Sequence, residues 1–156
     1  MLFPTGLRWI SIAAFPLCLS HNDFNIRNLA LRHSEDGAQL VAYDWELACI
    51  QNPQRDLIEF LISVIDTLDT GSDVQSYIEF YRTELSALTG YQWESAQFHE
   101  VLLGNSLYLF STRFNAYLLT NNVFKLDFIP RLTTNLLNFI EVVDAQLSHA
   151  KLEGIA

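Results

Sequence analysis

Ser20-His21-Asn22-Asp23-Phe24-Asn25-Ile26-Arg27-Asn28 sets a histidine, an aspartate and an asparagine in the order H-x-D-x-x-x-x-N, directly behind an apolar, strand-like run. Outward from Asn28 the chain reads as a hairpin reaching Asp44. Its first arm is Leu29, Ala30, Leu31, its loop Ser34, Glu35, Asp36, Gly37, and its return arm Leu40, Val41, Ala42, Tyr43. Asp36-Gly37 is a strong turn signal between such arms. The return arm ends on Asp44-Trp45-Glu46. A strand end there can carry a second carboxylate to the cleft where the hairpin began.

Beyond Pro53 the character changes to helical periods. Leu57, Leu61, Val64 and Leu68 fall along one face, with Ile58, Ile62 and Ile65 widening it, and Gly71 is the expected stop. A second helix is predicted from Ser72, with Gln75 completing a capping box, through Val74, Tyr77, Ile78, Tyr81, Leu85 and Leu88 to Gly90. Trp93 to Leu119 reads as a third helix weakened at Gly104. After Asn121-Asn122 and Pro130 a fourth carries Leu132, Leu136, Phe139, Ile140, Val143 and Leu147. The expected fold is mainly α with a small β-hairpin, in a single domain over residues 1–156.

Composition narrows the function classes. The chain has 156 residues, half of them apolar and 17% charged, enough for one well-cored unit and too apolar for disorder. Nine Lys and Arg against 18 Asp and Glu give a net charge of −9, which would repel a phosphate backbone, so no nucleic-acid partner is expected. Cys18 and Cys49 lack CxxC spacing and sit in apolar runs, so they read as reduced, packed thiols of a cytoplasmic protein. The uncharged run from Trp9 to Ser20 is too short to span a bilayer, so no membrane partner is expected either. Pro16 and the lack of a small-residue cleavage site make that run a buried strand or helix end rather than a signal peptide.

The spacing around Asp23 fits phosphoryl transfer. That chemistry needs a carboxylate to orient and deprotonate the acceptor hydroxyl, and oxygen ligands a few residues on to hold a metal against the phosphates. Asp23 and Asn28 meet that description, and Asp44 is the natural second Mg²⁺ ligand. With His21-x-Asp23-x-x-x-x-Asn28, Tyr43-Asp44-Trp45-Glu46 and Pro53-x-x-Asp56-Leu57 in order, the sequence resembles the aminoglycoside phosphotransferase and choline kinase family, over about Leu19 to Leu61. The resemblance implies the helical C-terminal lobe of a protein-kinase-like fold. It implies Asp23 as catalytic base, His21 bracing the loop beside it, Asn28 and Asp44 holding magnesium and ATP, Glu46 as a further ligand, and Asp56 pinning the loop from the next helix. Asp23, Asn28 and Asp44 should then converge on one cleft.

Each residue also has a purely structural use. Asp23 can cap a turn, Asn28 and Asp44 can satisfy backbone at hairpin ends, and Asp56 can be the first-turn acid of a helix. The sequence departs from the family at Asn22, where relatives often carry Gly, and at Asn25-Ile26-Arg27, where they carry a second His or a Pro. The phosphate-covering loop and strand lysine of a nucleotide lobe are not found: the lysines are Lys125 and Lys151. The expected activity is therefore ATP-dependent transfer to a small-molecule hydroxyl by a catalytic lobe inactive alone. The alternative is a non-catalytic remnant serving as an interaction or regulatory module. A metal-dependent hydrolase using His21, Asp23 and His33 has no ligand cluster behind it. Acidic residues (Asp66, Asp69, Asp73, Glu79, Glu84, Glu94, Glu100) and aromatic ones (Tyr77, Tyr81, Trp93, Tyr108, Tyr117) would suit a cationic acceptor, or form a solvated face over ordinary core rings. Trp9, Ile10, Ile12, Phe15 and Leu17 should be incompletely buried and favour a dimer or a complementing N-lobe chain.

Overall fold

The computed structural model describes residues 15–35, 37–65 and 71–153. The expectations on Trp9, Ile10, Ile12, Asp36, Asp66, Leu68 and Asp69 lie outside the described residues. Among the described residues, four short strands and five α-helices follow one another: β1 (Cys18–Ser20), β2 (Leu29–Ser34), β3 (Gly37–Ala42), β4 (Cys49–Gln51), α1 (Gln54–Val64), α2 (Gly71–Thr89), α3 (Ser95–Leu109), α4 (Asn115–Asn121) and α5 (Ile129–Glu153). Mainly α with a small β element is the architecture.

The hairpin forms as its turn chemistry predicts, with β2 and β3 antiparallel from Leu29↔Ala42 to Ser34↔Gly37. Gly37 stands at φ 118°, a conformation side chains rarely adopt. A second pair went unread in the sequence: β1 and β4 join antiparallel with Leu19 opposite Ile50. Three residues per strand are too few to show a period. Both pairs are largely exposed, and the facing Leu19 and Ile50 are 62% and 66% accessible. Cys18 and Cys49 lie on this exposed pair as free thiols, so the expectation that they are packed is corrected. Their apolar neighbours belong to a two-stranded ribbon without cover on that side. Phe15 is buried and stacks on Trp93, whereas Leu17 is half exposed.

The core lies among the helices. Leu57, Leu61 and Ile62 of α1 meet Phe98, Leu102 and Leu109 of α3 and Leu136, Phe139 and Val143 of α5. Pro130 occupies the first turn of α5, where its missing N–H costs nothing. From α5, the buried Asn135 amide donates to Ile62 O (2.9 Å) and Ile65 O (3.0 Å), satisfying carbonyls at the open end of α1. Gly90 at φ 72° ends α2, as expected, but that helix already starts at Gly71, so Ser72 sits in its first turn rather than capping it. Tyr77 and Leu88 of α2 point away from the core. Gly104, read as the weak point of the third helix, lies within an unbroken α3. The irregularity comes instead at Phe110–Phe114, one π-helical stretch between α3 and α4. Such π segments often mark functional positions, and this one carries Arg113.

Candidate functional site

The loop between β1 and β2 is built by local polar side chains and held by one helix. Asn25 caps a short 3₁₀ turn, Ile26–Asn28, by accepting the Arg27 N–H at 3.1 Å. Along α1, Asp56, Glu59 and Ser63 recur three and four residues apart and so share a face. That face takes up the loop's backbone donors in order. Asp56 accepts the His21 N–H at 2.7 Å and the Asn22 N–H at 2.9 Å, Glu59 accepts Phe24 N–H at 3.0 Å, and Ser63 accepts Ile26 N–H at 3.3 Å. Asp56 is thus a pin for the loop as well as a first-turn acid.

His21 is almost fully buried. Its Nε2 lies 2.8 Å from Tyr43 O, and since a carbonyl can only accept, Nε2 carries the proton. The ring packs against Trp45 and Phe24, with centroids 4.7 and 5.8 Å away. Tyr43 N–H donates to Asn28 O at 3.1 Å, and Tyr43 Oη to Arg27 O. Both backbone polar groups of Tyr43 are therefore tied to the loop, and Asp44 begins one peptide away. Asp44 itself adopts φ 65°, ψ 56°, a left-handed conformation that aspartate tolerates better than most residues.

Asn22 is left-handed too, at φ 60°. This accounts for the departure from glycine, since asparagine is the next residue to accept that region. All its polar groups are used: Nδ2 donates to Leu47 O at 3.1 Å, Oδ1 accepts from Gln51 at 3.2 Å, and its carbonyl accepts from Arg113 at 2.7 Å. Asn22→Val, which loses those side-chain bonds and strains a β-branched residue at positive φ, is expected to cost about 2 kcal/mol. Asn22→Gly should cost about half as much. Urea unfolding of the two variants checks the order.

At the centre, Asp23 Oδ2 accepts from Asn28 Nδ2 at 2.7 Å and Asp23 Oδ1 accepts from Arg113 Nη1 at 3.1 Å. The same Nη1 reaches Glu59 Oε1 at 2.5 Å, and Arg55 meets that carboxylate oxygen at 3.0 Å. Burial pushes the Glu59 carboxyl up, against the opposing pull of Arg55 and Arg113. Burial likewise draws the Arg55 guanidinium down, with Glu59 resisting. Arg113, Glu59 and Ser63 were not singled out in the sequence. The two α1 residues had a signal, a polar stripe on an otherwise apolar helix. Arg113 had none, being 90 positions from Asp23.

The residues expected to hold magnesium supply hard oxygen donors, which is what that ion takes. Asn28 spends its Nδ2 on Asp23 O and Oδ2, and among the described residues no donor occupies its Oδ1. Asp44 makes no side-chain cap bond, and Glu46 follows it in an exposed 3₁₀ turn, Trp45–Leu47. Among the described residues there is no group of three or more His, Cys, Asp or Glu side chains that could hold a metal, and His33 stands apart on exposed β2. A cavity of about 130 Å³ opens beside Asp23, between the loop, α1, the π stretch and the start of α5.

A family model described as the Ecdysteroid kinase-like family matches residues 16–91, a stretch that contains the loop, the hairpin, α1 and α2. No curated protein matches the chain, and no solved structure does. The matched stretch is thus similar to a kinase-like family, in keeping with the three motifs it contains. No helix among the described residues is long and apolar enough to cross a membrane.

Proposed function

We propose that this chain is the helical catalytic lobe of an ATP-dependent phosphotransferase of the aminoglycoside phosphotransferase and choline kinase type, acting on a hydroxyl of a small molecule in the cytoplasm. The observation that carries the reading is Asp23, on a loop fixed by four backbone bonds to α1 side chains, with its carboxylate set between Asn28 and Arg113 at the mouth of a cavity. Asp23 would orient the acceptor hydroxyl and take its proton as the oxygen attacks the γ-phosphorus of ATP, with ADP leaving. His21 would act by position, holding Tyr43 and hence Asp44 against the loop. Asn28, Asp44 and Glu46 would hold magnesium, which supplies neutralisation of the phosphate charge. The exposed ribbon of β1 and β4 would be covered by a complementing N-lobe chain or a second copy, and nucleotide binding by the 156-residue chain alone is expected to be weak in calorimetric titration with Mg-ATP.

The non-catalytic alternative is favoured by one feature, that both oxygens of Asp23 are engaged within the protein. ³¹P NMR with Mg-ATP, a panel of alcohols and a supplied nucleotide-binding lobe separates the two. A phosphomonoester that forms with the native chain and falls about a hundredfold with Asp23→Asn supports the enzyme. Its absence from both would leave an interaction module.

A further inference from the structure

We infer that the cavity beside Asp23 receives ring-bearing alcohols that carry an acid group, and disfavours cationic ones. This deepens the phosphotransferase reading and rests on it for the role of the hydroxyl. The walls are apolar and aromatic, chiefly Ile62, Leu109, Phe114, Tyr117, Phe128 and Leu132, and the volume of about 130 Å³ approaches that of a cavity able to hold a benzene ring. A flat ring therefore fits where a linear polyol would leave the walls unfilled.

Charge selects within that class. Two carboxylates border the cavity, Asp23 and Glu59, and neither is available to a ligand cation: Arg113 bridges both, and Arg55 adds to Glu59. Three guanidiniums border it, Arg27, Arg113 and Arg131, one more positive charge than negative. Arg27 and Arg131 are exposed and have no ion-pair partner among the described residues. One ring that an ammonium group would seek is also taken, because the Arg27 guanidinium lies 5.4 Å from the Phe128 centroid. Of the acidic and aromatic residues that suggested a cationic acceptor, only Tyr117 among those described borders this cavity, and Tyr81 and Trp93 belong to the core. An incoming carboxylate meets two guanidiniums at the rim that carry no ion pair among the described residues, Arg27 giving its Nε to Asn25 Oδ1 at 3.2 Å, while its ring lies over apolar wall and its hydroxyl reaches Asp23.

Three para-substituted benzyl alcohols of matched shape test this on the full chain: 4-(hydroxymethyl)benzoate, 4-(hydroxymethyl)benzamide and 4-(hydroxymethyl)benzylamine. In NMR titrations the benzoate is expected to bind about tenfold more tightly than the amine at low salt, shifting the Tyr117 and Phe128 ring signals. The gap should narrow in high salt and in either Arg131→Gln or Arg27→Gln. An amine that binds as well as the acid, or a benzoate that leaves those ring signals unmoved, overturns the inference. Phosphoryl transfer to the same alcohols, with a nucleotide-binding lobe supplied, keeps the two readings apart. Acid that binds and is never phosphorylated sinks the phosphotransferase and leaves the selectivity standing, whereas preferential phosphorylation of the amine does the reverse.

Discussion

Glu59→Ala is expected to lower unfolding free energy by about 3–5 kcal/mol, the range seen when one partner of a buried ion pair is removed. Glu59 is only 5% exposed and Arg55 only 3%, so little water can replace the carboxylate. The substitution strands Arg55, which lies 3.0 Å from the lost oxygen, leaves Arg113 with Asp23 and the Asn22 carbonyl only, and opens the Phe24 N–H bond. Pairing Glu59→Ala with Arg55→Met in a double-mutant cycle should recover part of the loss, because the second change removes the stranded charge. A change below about 1 kcal/mol in urea unfolding would mean that the guanidiniums find water or new partners. pH gives a second handle. The folded state holds the Glu59 proton at pH values where the unfolded chain has released it, because burial raises that carboxyl. The folded form therefore binds more protons there, and stability falls as pH rises through the window just above the ordinary glutamate range. Glu59→Gln, which does not titrate, should remove that decline.

The legible parts of this molecule were those whose cause is local. The hairpin was readable because two short apolar runs flank a polar loop with an Asp-Gly pair, and its six-residue strands pair antiparallel across it. The stripe of α5 was readable because Leu136, Phe139, Val143 and Leu147 repeat at the helical period and are buried together. Asp23 and Asn28 could be paired from spacing, and they touch at 2.7 Å. What stayed hidden depends on partners far along the chain. β4 has three residues and exists only because β1 lies beside it. Gly104 looked like the weak point of the third helix, yet α3 runs through it from Ser95 to Leu109. The distortion falls at Phe110–Phe114, where Phe114 is buried while Arg113 reaches Asp23, Glu59 and Asn22. A one-dimensional pattern contains no record of that triple contact.

Asp56→Ala should detach the loop between β1 and β2 without dismantling the helical core. Its carboxylate accepts two backbone N–H groups from consecutive residues, His21 at 2.7 Å and Asn22 at 2.9 Å. Hydrogen bonds to a charged acceptor contribute about 1.5–3 kcal/mol each, and the half-buried Asn22 regains some water, so a net loss of about 3 kcal/mol is expected. Part of it comes from the first turn of α1, where an acid faces the positive end of the helix. The consequence for the loop follows from order along the chain. His21 reaches Tyr43 and Asn22 reaches Gln51 and Leu47, so releasing these two residues loosens the strand ends around Asp44 as well as Asp23. Amide exchange should therefore quicken at His21, Asn22 and Tyr43 while Leu136 and Phe139 keep their protection. Asp56→Asn, with one carbonyl oxygen left to accept, should fall between native and alanine. Uniform acceleration across α5 would instead show that the pin holds up the whole domain, and unchanged exchange at His21 would show that Glu59 and Ser63 hold the loop without it.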